Sequence, residues 1–317
     1  MDTVQLRSLK QWTKRYCPRS RYVINMIDTG FKGASIVESE CYSGGKEIRK
    51  PKYVQYIFFQ KNWDGITIHT DKYLGEEVIN KFSAGFRVAI IGEPRYLSPF
   101  AYENVEKNYE AFDLILTHDK EIIEKFPGKA KFFVSSCPAL GYSKIGMHEK
   151  TELVSYMFSR KNRTAGHKYR KKLYKELKAT DEFDFVYYCG SGVGAYVPEK
   201  GPTITPYMFS IAIENGWRDY NFTEKIMDCF ATGTIPIYKG CPSILDFFDE
   251  RGIILFEEKE ELKDILRGLT PGKYNKMLRY AHINFEKVKQ YSDPDDLAFK
   301  IMQEHMKEIN HSFKVIR

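Results

Sequence analysis

Short apolar runs alternate with stretches of helical period along most of this chain, and that alternation constrains its fold more than any other feature. Such a pattern builds strand–helix–strand units, so an α/β layering with parallel sheets is expected in place of a sandwich or a bundle. With 317 residues the chain exceeds the size at which one hydrophobic core usually stops growing, which predicts two Rossmann-like lobes. In the first lobe, residues 53–59, 66–69, 86–91, 114–116 and 131–134 read as strands, with Tyr102, Val105, Tyr109 and Phe112 forming a buried helical stripe. Residues 135–150, with Pro138, Gly141 and Gly146, read as a linker. In the second lobe, strands are expected at 153–158, 183–188, 209–213 and 235–238, and helices at 166–178 and 223–232, the last stopped by Gly233. A mostly helical tail covers 258–307. The expected domains are an N-terminal lobe over 1–145, a second lobe over 150–290, and a C-terminal helix, 291–317, packing back.

Composition narrows the class. Hydrophobic residues at 43% and charged residues at 29% are ordinary for a globular protein, and 22 Tyr and 22 Phe argue against disorder. Residues 1–15 hold no apolar core of signal-peptide length, and no run approaches about 18 apolar residues, so no membrane span is expected. Six cysteines lie far apart without a Cys-x-x-Cys pair, which reads as free thiols in a reducing cytosol, and the expected location is cytoplasmic. A net charge of +7 favours polyanionic company. The excess is concentrated in Arg160, Lys161, Arg163, Lys168, Arg170, Lys171, Lys172, Lys175 and Lys178. Most of these would be a solvated helix face, with a minority turned toward phosphate.

The segment from Ile211 to Ser243 carries the most chemistry. A strand runs into a loop and then into a helix whose first turn holds Thr223, Glu224 and Lys225. Free backbone N–H groups and the positive end of the helix dipole make such a turn a site for a diphosphate. Lys225 adds a full charge, and Glu224 can accept hydrogen bonds from ribose hydroxyls. Helix rules alone equally allow Thr223 to act only as a cap and Glu224 only as a dipole partner.

Glu214-Asn215, Thr223-Glu224-Lys225, Ile235-Pro-Ile-Tyr238 and Gly240-Cys-Pro-Ser243, in that order, resemble the signature of the α1,3/α1,4-fucosyltransferase family, glycosyltransferase family 10. The resemblance is strong over 154–256 and weaker upstream. It implies a GT-B-like fold, with two Rossmann-like lobes facing a cleft, and inverting transfer of fucose from GDP-fucose to a hydroxyl of a glycan. Carried over by position, it implies that Glu224 binds the donor ribose and Lys225 the diphosphate, with Asn215 nearby. Arg170, on the helix after Ser159-Arg-Lys-Asn162, falls on the arginine that contacts the phosphates, a task suited to its planar fork. Glu93, after Gly92, resembles the general base, which would take the acceptor proton. Two positions depart from the pattern: Asn221, preceded by Tyr220, stands where the family has Tyr, and Lys239 where it has Trp.

Other motifs fall away. Gly190-Ser-Gly-Val-Gly-Ala195 has the letters of a dinucleotide loop, but Tyr196-Val-Pro198 prevents the helix that must follow. Asp293-Pro-Asp295 reads as the opening of the last helix and not as a metal-binding pair. No metal and no cofactor beyond the nucleotide-sugar donor is expected, and the histidines show no ligand spacing. His118 and His167 either line the cleft or are ordinary surface or core histidines. Three alternatives stay open: another nucleotide sugar, a modified DNA base as acceptor, for which the sequence shows no base-reading residues, and a non-catalytic carbohydrate- or nucleic-acid-binding module.

Overall fold

The computed structural model describes residues 22–28, 41–42, 48–49, 51–140, 144–194, 197 and 199–310. Cys17, the side chain of Cys41, residues 1–15, Tyr196 and Pro198 lie outside the described residues. The chain divides into two compact units, one formed by 1–41, 50–135 and 293–317, the other by 42–49 and 136–292.

Unit 1 is built on six strands, β1 (Tyr22–Ile27), β2 (Val54–Phe58), β3 (Ile66–Thr70), β4 (Phe86–Ile91), β5 (Leu114–Thr117) and β6 (Ala130–Phe132). They pair in the order β2-β1-β3-β4-β5-β6, all parallel. Parallel sheets are covered on both faces, which is why β2 is buried at every residue and is apolar except at Gln55. Strand β1 is the one the apolar pattern does not announce, because Asn25 interrupts it. The buried Asn25 amide donates to the Gln60 carbonyl and to Thr67 Oγ1 and accepts the Gln60 N–H, so its polar groups are satisfied inside the sheet. The longer helices of unit 1 are α1 (Pro99–Asn108), with Tyr102 and Val105 buried, α2 (Lys120–Lys125), and the last helix, Pro294–Glu308. Asp293 caps that last helix by accepting the Asp296 N–H, and Phe299 and Met302 enter the core of unit 1.

Unit 2 holds β7 (Glu152–Met157), β8 (Val186–Cys189), β9 (Tyr207–Ile213), β10 (Ile235–Lys239) and the short β11 (Ile254–Leu255), ordered β8-β7-β9-β10-β11 and again parallel. The apolar run at 183–188 is not one strand. Residues Asp181–Phe183 form a 3-10 turn that drops Phe183 into the core, and β8 begins at Val186. Helices α3 (Ala165–Leu177) and α4 (Glu224–Ala231) flank the sheet, followed by α5 (Lys259–Arg267) and α6 (Pro271–Val288). Gly233, at φ +72°, ends the α4 segment in the left-handed conformation. Cys137, Cys189, Cys229 and Cys241 are free thiols. Among the described residues no helix is long and apolar enough to cross a membrane.

Both sheets reverse their winding direction beside their first strand. The switch falls between β1 and β3 in unit 1 and between β7 and β9 in unit 2. Ligands of open α/β sheets bind outside the carboxyl ends of the strands at such points.

Candidate donor site

At the switch point of unit 2 the ends of β7 and β9 open into a cavity of about 450 Å³. Met157, Phe158 and Ser159 line it from β7, and Ile211, Ile213 and Asn215 from β9. Its charged lining consists of Lys161, Arg170, Lys200 and Lys225 against Glu224 and Asp228, four cations to two carboxylates.

Helix α4 supplies three of these groups. Thr223 caps it by accepting the Lys225 N–H, and the i, i+4 spacing puts Glu224 and Asp228 on one face. Buried Glu214, at 2% exposure, ties the cap to the strand end by accepting the Thr223 N–H at 2.9 Å and the Thr223 hydroxyl at 2.7 Å. The Lys225 ammonium donates to Thr223 Oγ1 at 2.9 Å and to Glu224 Oε1 at 3.0 Å, and lies 3.4 Å from Glu214 Oε2. Burial works against the charge on Lys225, but Glu214 and Glu224 outweigh it and raise its pKa. Burial likewise opposes ionisation of Glu224, while Lys225 and Lys200 overcome it and hold the carboxyl at about 2.

Arg170 lies on the buried stripe of α3 with Gly166, Leu173 and Leu177, at 5% exposure. The other eight basic residues of 160–178 are exposed or partly exposed, Lys161 reaching the cavity from the exposed set. The Arg170 guanidinium donates to the Ile213 and Glu214 carbonyls and, at 2.8 Å, to Asn215 Oδ1. It therefore braces the end of β9 while lining the cavity. Gly166 permits this close approach: a Cβ there would stand 1.9 Å from the Glu214 carbonyl oxygen.

Of the residues singled out in the sequence, Arg170, Asn215, Glu224 and Lys225 line this one cavity. Thr223 acts just behind them through Glu214 and Lys225. Tyr220 and Asn221 do not line it. Tyr220 adopts φ +61°, donates its N–H to Ser243 Oγ and packs its ring edge-on against Phe247, while Asn221 is buried in the same turn. Lys200 and Asp228 also line the cavity, outside the motif residues. Their side chains pair at 3.0 Å, and Asp228 also accepts the Ala139 N–H. Burial pushes the Asp228 carboxyl up, and Lys200 pulls it back. The i+4 spacing from Glu224 was the available signal for Asp228, whereas nothing local marks Lys200.

The dinucleotide-like glycines have a packing role: Gly190, at φ +96°, leads into a 3-10 turn over Ser191–Val193, and Gly192 sits so close to Phe158 that a Cβ would come within 2.3 Å of its ring. In unit 1, Glu93 is exposed just beyond β4. Asp71, at the end of β3, accepts the N–H groups of Gly92 at 3.0 Å and Glu93 at 3.3 Å, which fixes the backbone that carries Glu93. Burial raises the Asp71 pKa to about 6, with the two N–H groups opposing and the charges of Glu93 and Asp28 assisting. Burial also lowers His118 to about 4.

Residues 147–304 match the model of glycosyltransferase family 10 (fucosyltransferase), C-terminal domain. Among solved structures, an α1,3-fucosyltransferase with GDP-fucose superposes with a TM-score of 0.53 at 16% identity, covering 91% of this chain and 92% of that one. An α1,3-fucosyltransferase with GDP gives 0.55 at 15% identity, covering 95% and 94%. A UDP-forming α,α-trehalose-phosphate synthase from Burkholderia vietnamiensis gives 0.52 at 9% identity, covering 92% and 100%. At such identities the likeness establishes the fold, which is of the GT-B kind.

Proposed function

Because residues 147–304 place this chain in glycosyltransferase family 10, we propose that it transfers a sugar, with inversion, from a nucleoside diphosphate carrier to a hydroxyl of a glycan. Fucose from GDP-fucose is the donor that the family match and the GDP-fucose and GDP complexes of its fold relatives favour. The observation that carries this reading is the cavity at the unit 2 switch point, where four cations face two carboxylates, an excess suited to a diphosphate.

In this reading negative charge grows on the diphosphate as the sugar departs, and the fixed cations of the cavity neutralise it. Lys225 is held in place by Thr223, Glu214 and Glu224, so little reorganisation is needed when the charge appears. A buried cation is weakly screened by solvent, which lets chain side chains supply the neutralisation. Glu224, kept ionised by its lysines, is the acceptor for donor ribose hydroxyls. The acceptor hydroxyl must lose its proton as the new bond forms, and Glu93 is the carboxylate proposed to take it.

The test is a turnover assay with GDP-fucose and other nucleotide sugars against a glycan panel, reading the nucleotide released and the anomeric configuration of the product. GDP release that rises with acceptor, giving the configuration opposite to the donor's, supports the reading. UDP release in its place keeps the glycosyltransferase and discards fucose. No release from any nucleotide sugar, with no binding of any nucleoside diphosphate, contradicts it.

A further inference from the structure

His167 stands at the third position of α3, within the capping box of Thr164. The Thr164 hydroxyl accepts the His167 backbone N–H at 3.3 Å, and the Thr164 backbone N–H donates to His167 Nδ1 at 3.3 Å. The same hydroxyl lies 2.7 Å from Nδ1. A backbone N–H only donates, so Nδ1 must offer a lone pair, and the hydroxyl then turns its own hydrogen to the same atom. A neutral imidazole has one N–H, which the cap therefore places on Nε2. His167 is 7% exposed and lines the cavity beside Arg170 and Lys225. Its Nδ1 edge is turned onto Thr164, so the Nε2–H is the polar group left to offer, and no group among the described residues accepts from it.

We propose that His167 presents a neutral Nε2–H to an oxygen of the donor diphosphate, as a hydrogen-bond donor whose tautomer is locked by the cap of α3. The inference rests on the donor-site reading above and assigns a residue to it. The surroundings match an anion: burial, then Arg170, Lys161, Lys225 and Arg163, hold the His167 pKa down at about 4. A fifth full charge among these cations is disfavoured, whereas a neutral N–H adds a directed hydrogen bond without that cost. A hydrogen bond to a charged acceptor is among the stronger kinds, so its loss is expected to weaken diphosphate binding about tenfold or more.

The experiment uses the full chain with ¹⁵N-labelled histidine and GDP as the probe, with His167→Ala identifying the resonance. The expected result is an Nε2–H tautomer at pH 7 whose Nε2–H signal moves on saturation with GDP. In calorimetry, His167→Ala should bind GDP about tenfold or more weakly. Thr164→Ala, which removes the capping hydroxyl and leaves the imidazole, should lose comparable thermal stability and much less affinity. Equal affinity losses in the two variants would reduce His167 to a helix cap and overturn the proposal. An Nδ1–H or doubly protonated ring at pH 7, or an Nε2–H that ignores bound GDP, would overturn it as well. A wild-type chain that binds no nucleoside diphosphate would strike down the underlying site reading, whereas binding with an unmoved Nε2–H would strike down only the role of His167.

Discussion

The two units carry parallel sheets of the same winding order with opposite charge beyond the strand ends at the switch point. In unit 2 the strand ends at the switch point meet Lys161, Arg170, Lys200 and Lys225. In unit 1 the equivalent ends of β1, β3 and β4 run into Asp28, Asp71 and Glu93, with Thr70 donating its hydroxyl to Asp28 at 2.5 Å. Architecture therefore does not choose the chemistry, since one winding pattern carries a cationic edge in unit 2 and an acidic one in unit 1. What separates them is the side chains placed on the residues that follow each strand. In unit 2, Lys200 and Lys225 are held in place by Asp228, Glu214 and Glu224, whereas the Asp71 carboxyl of unit 1 is held by backbone N–H groups and raised by burial and then by its acidic neighbours.

Breaking the cationic edge should have the largest effect. Lys225→Met leaves buried Glu214 and partly exposed Glu224 without their shared cation, and a buried carboxylate that loses its partner is destabilising. GDP affinity should fall about 100-fold or more by calorimetry, which corresponds to about 2.7 kcal/mol. At the acidic edge, Glu93→Gln should lower kcat by about 10²–10⁴-fold while the Kd for GDP stays unchanged. A loss within about threefold would remove the general-base role and blur the contrast between the two edges. Gly166→Ala forces a Cβ to within 1.9 Å of the Glu214 carbonyl oxygen and 2.8 Å of Asn215 Cα, backbone atoms that cannot step aside. A destabilisation of about 3 kcal/mol is expected in denaturant melts. The counterpart in unit 1, Gly92→Ala, meets only the side chains of Asp71 and Ser135 at 3.3 Å and should cost far less.

The smallest effect concerns pH. The folded pKa of Asp71, about 6, lies above its ordinary 3.8, so the native state takes up a proton that the unfolded chain does not hold. Its contribution is therefore most favourable below about pH 4 and declines as pH rises through 6. Asp71→Asn keeps an oxygen for the Gly92 and Glu93 N–H groups and removes the buried charge. The variant should be more stable than wild type at pH 8 by about 1–3 kcal/mol and should flatten the melting-temperature profile between pH 4 and 6.

The same contrast explains what the sequence could reveal. Parallel strands buried on both faces leave apolar runs, so β2, β3, β4, β5, β9 and β10 were legible, whereas β1 was hidden by Asn25, whose burial is made tolerable only by Gln60 and Thr67 from other parts of the chain. Thr223, Glu224 and Lys225 were legible because a helix start announces itself locally. Arg170 was visible as a basic residue, but its burial follows from the 166, 170, 173, 177 stripe, which also takes in a glycine and an arginine and so escapes an apolar count. Glu214 lies in the motif and Asp228 stands i+4 from Glu224, but Lys200 meets Asp228 across 28 residues of sequence and Glu214 reaches the cap of α4 across nine, so no local pattern contains these pairings. The tautomer of His167 depends on which way a threonine hydroxyl turns, a detail of helix capping that composition and spacing do not hold.

The central claim is that the cationic switch point of unit 2 binds a nucleoside diphosphate, and the most direct measurement is calorimetric titration of GDP and UDP into wild type and Lys225→Met. The account predicts saturable one-site binding that prefers GDP in the wild type and is weakened about 100-fold in the variant at a pH where both are folded. Binding of equal strength in a folded Lys225→Met chain, or no binding of either nucleotide to the wild type, would contradict it.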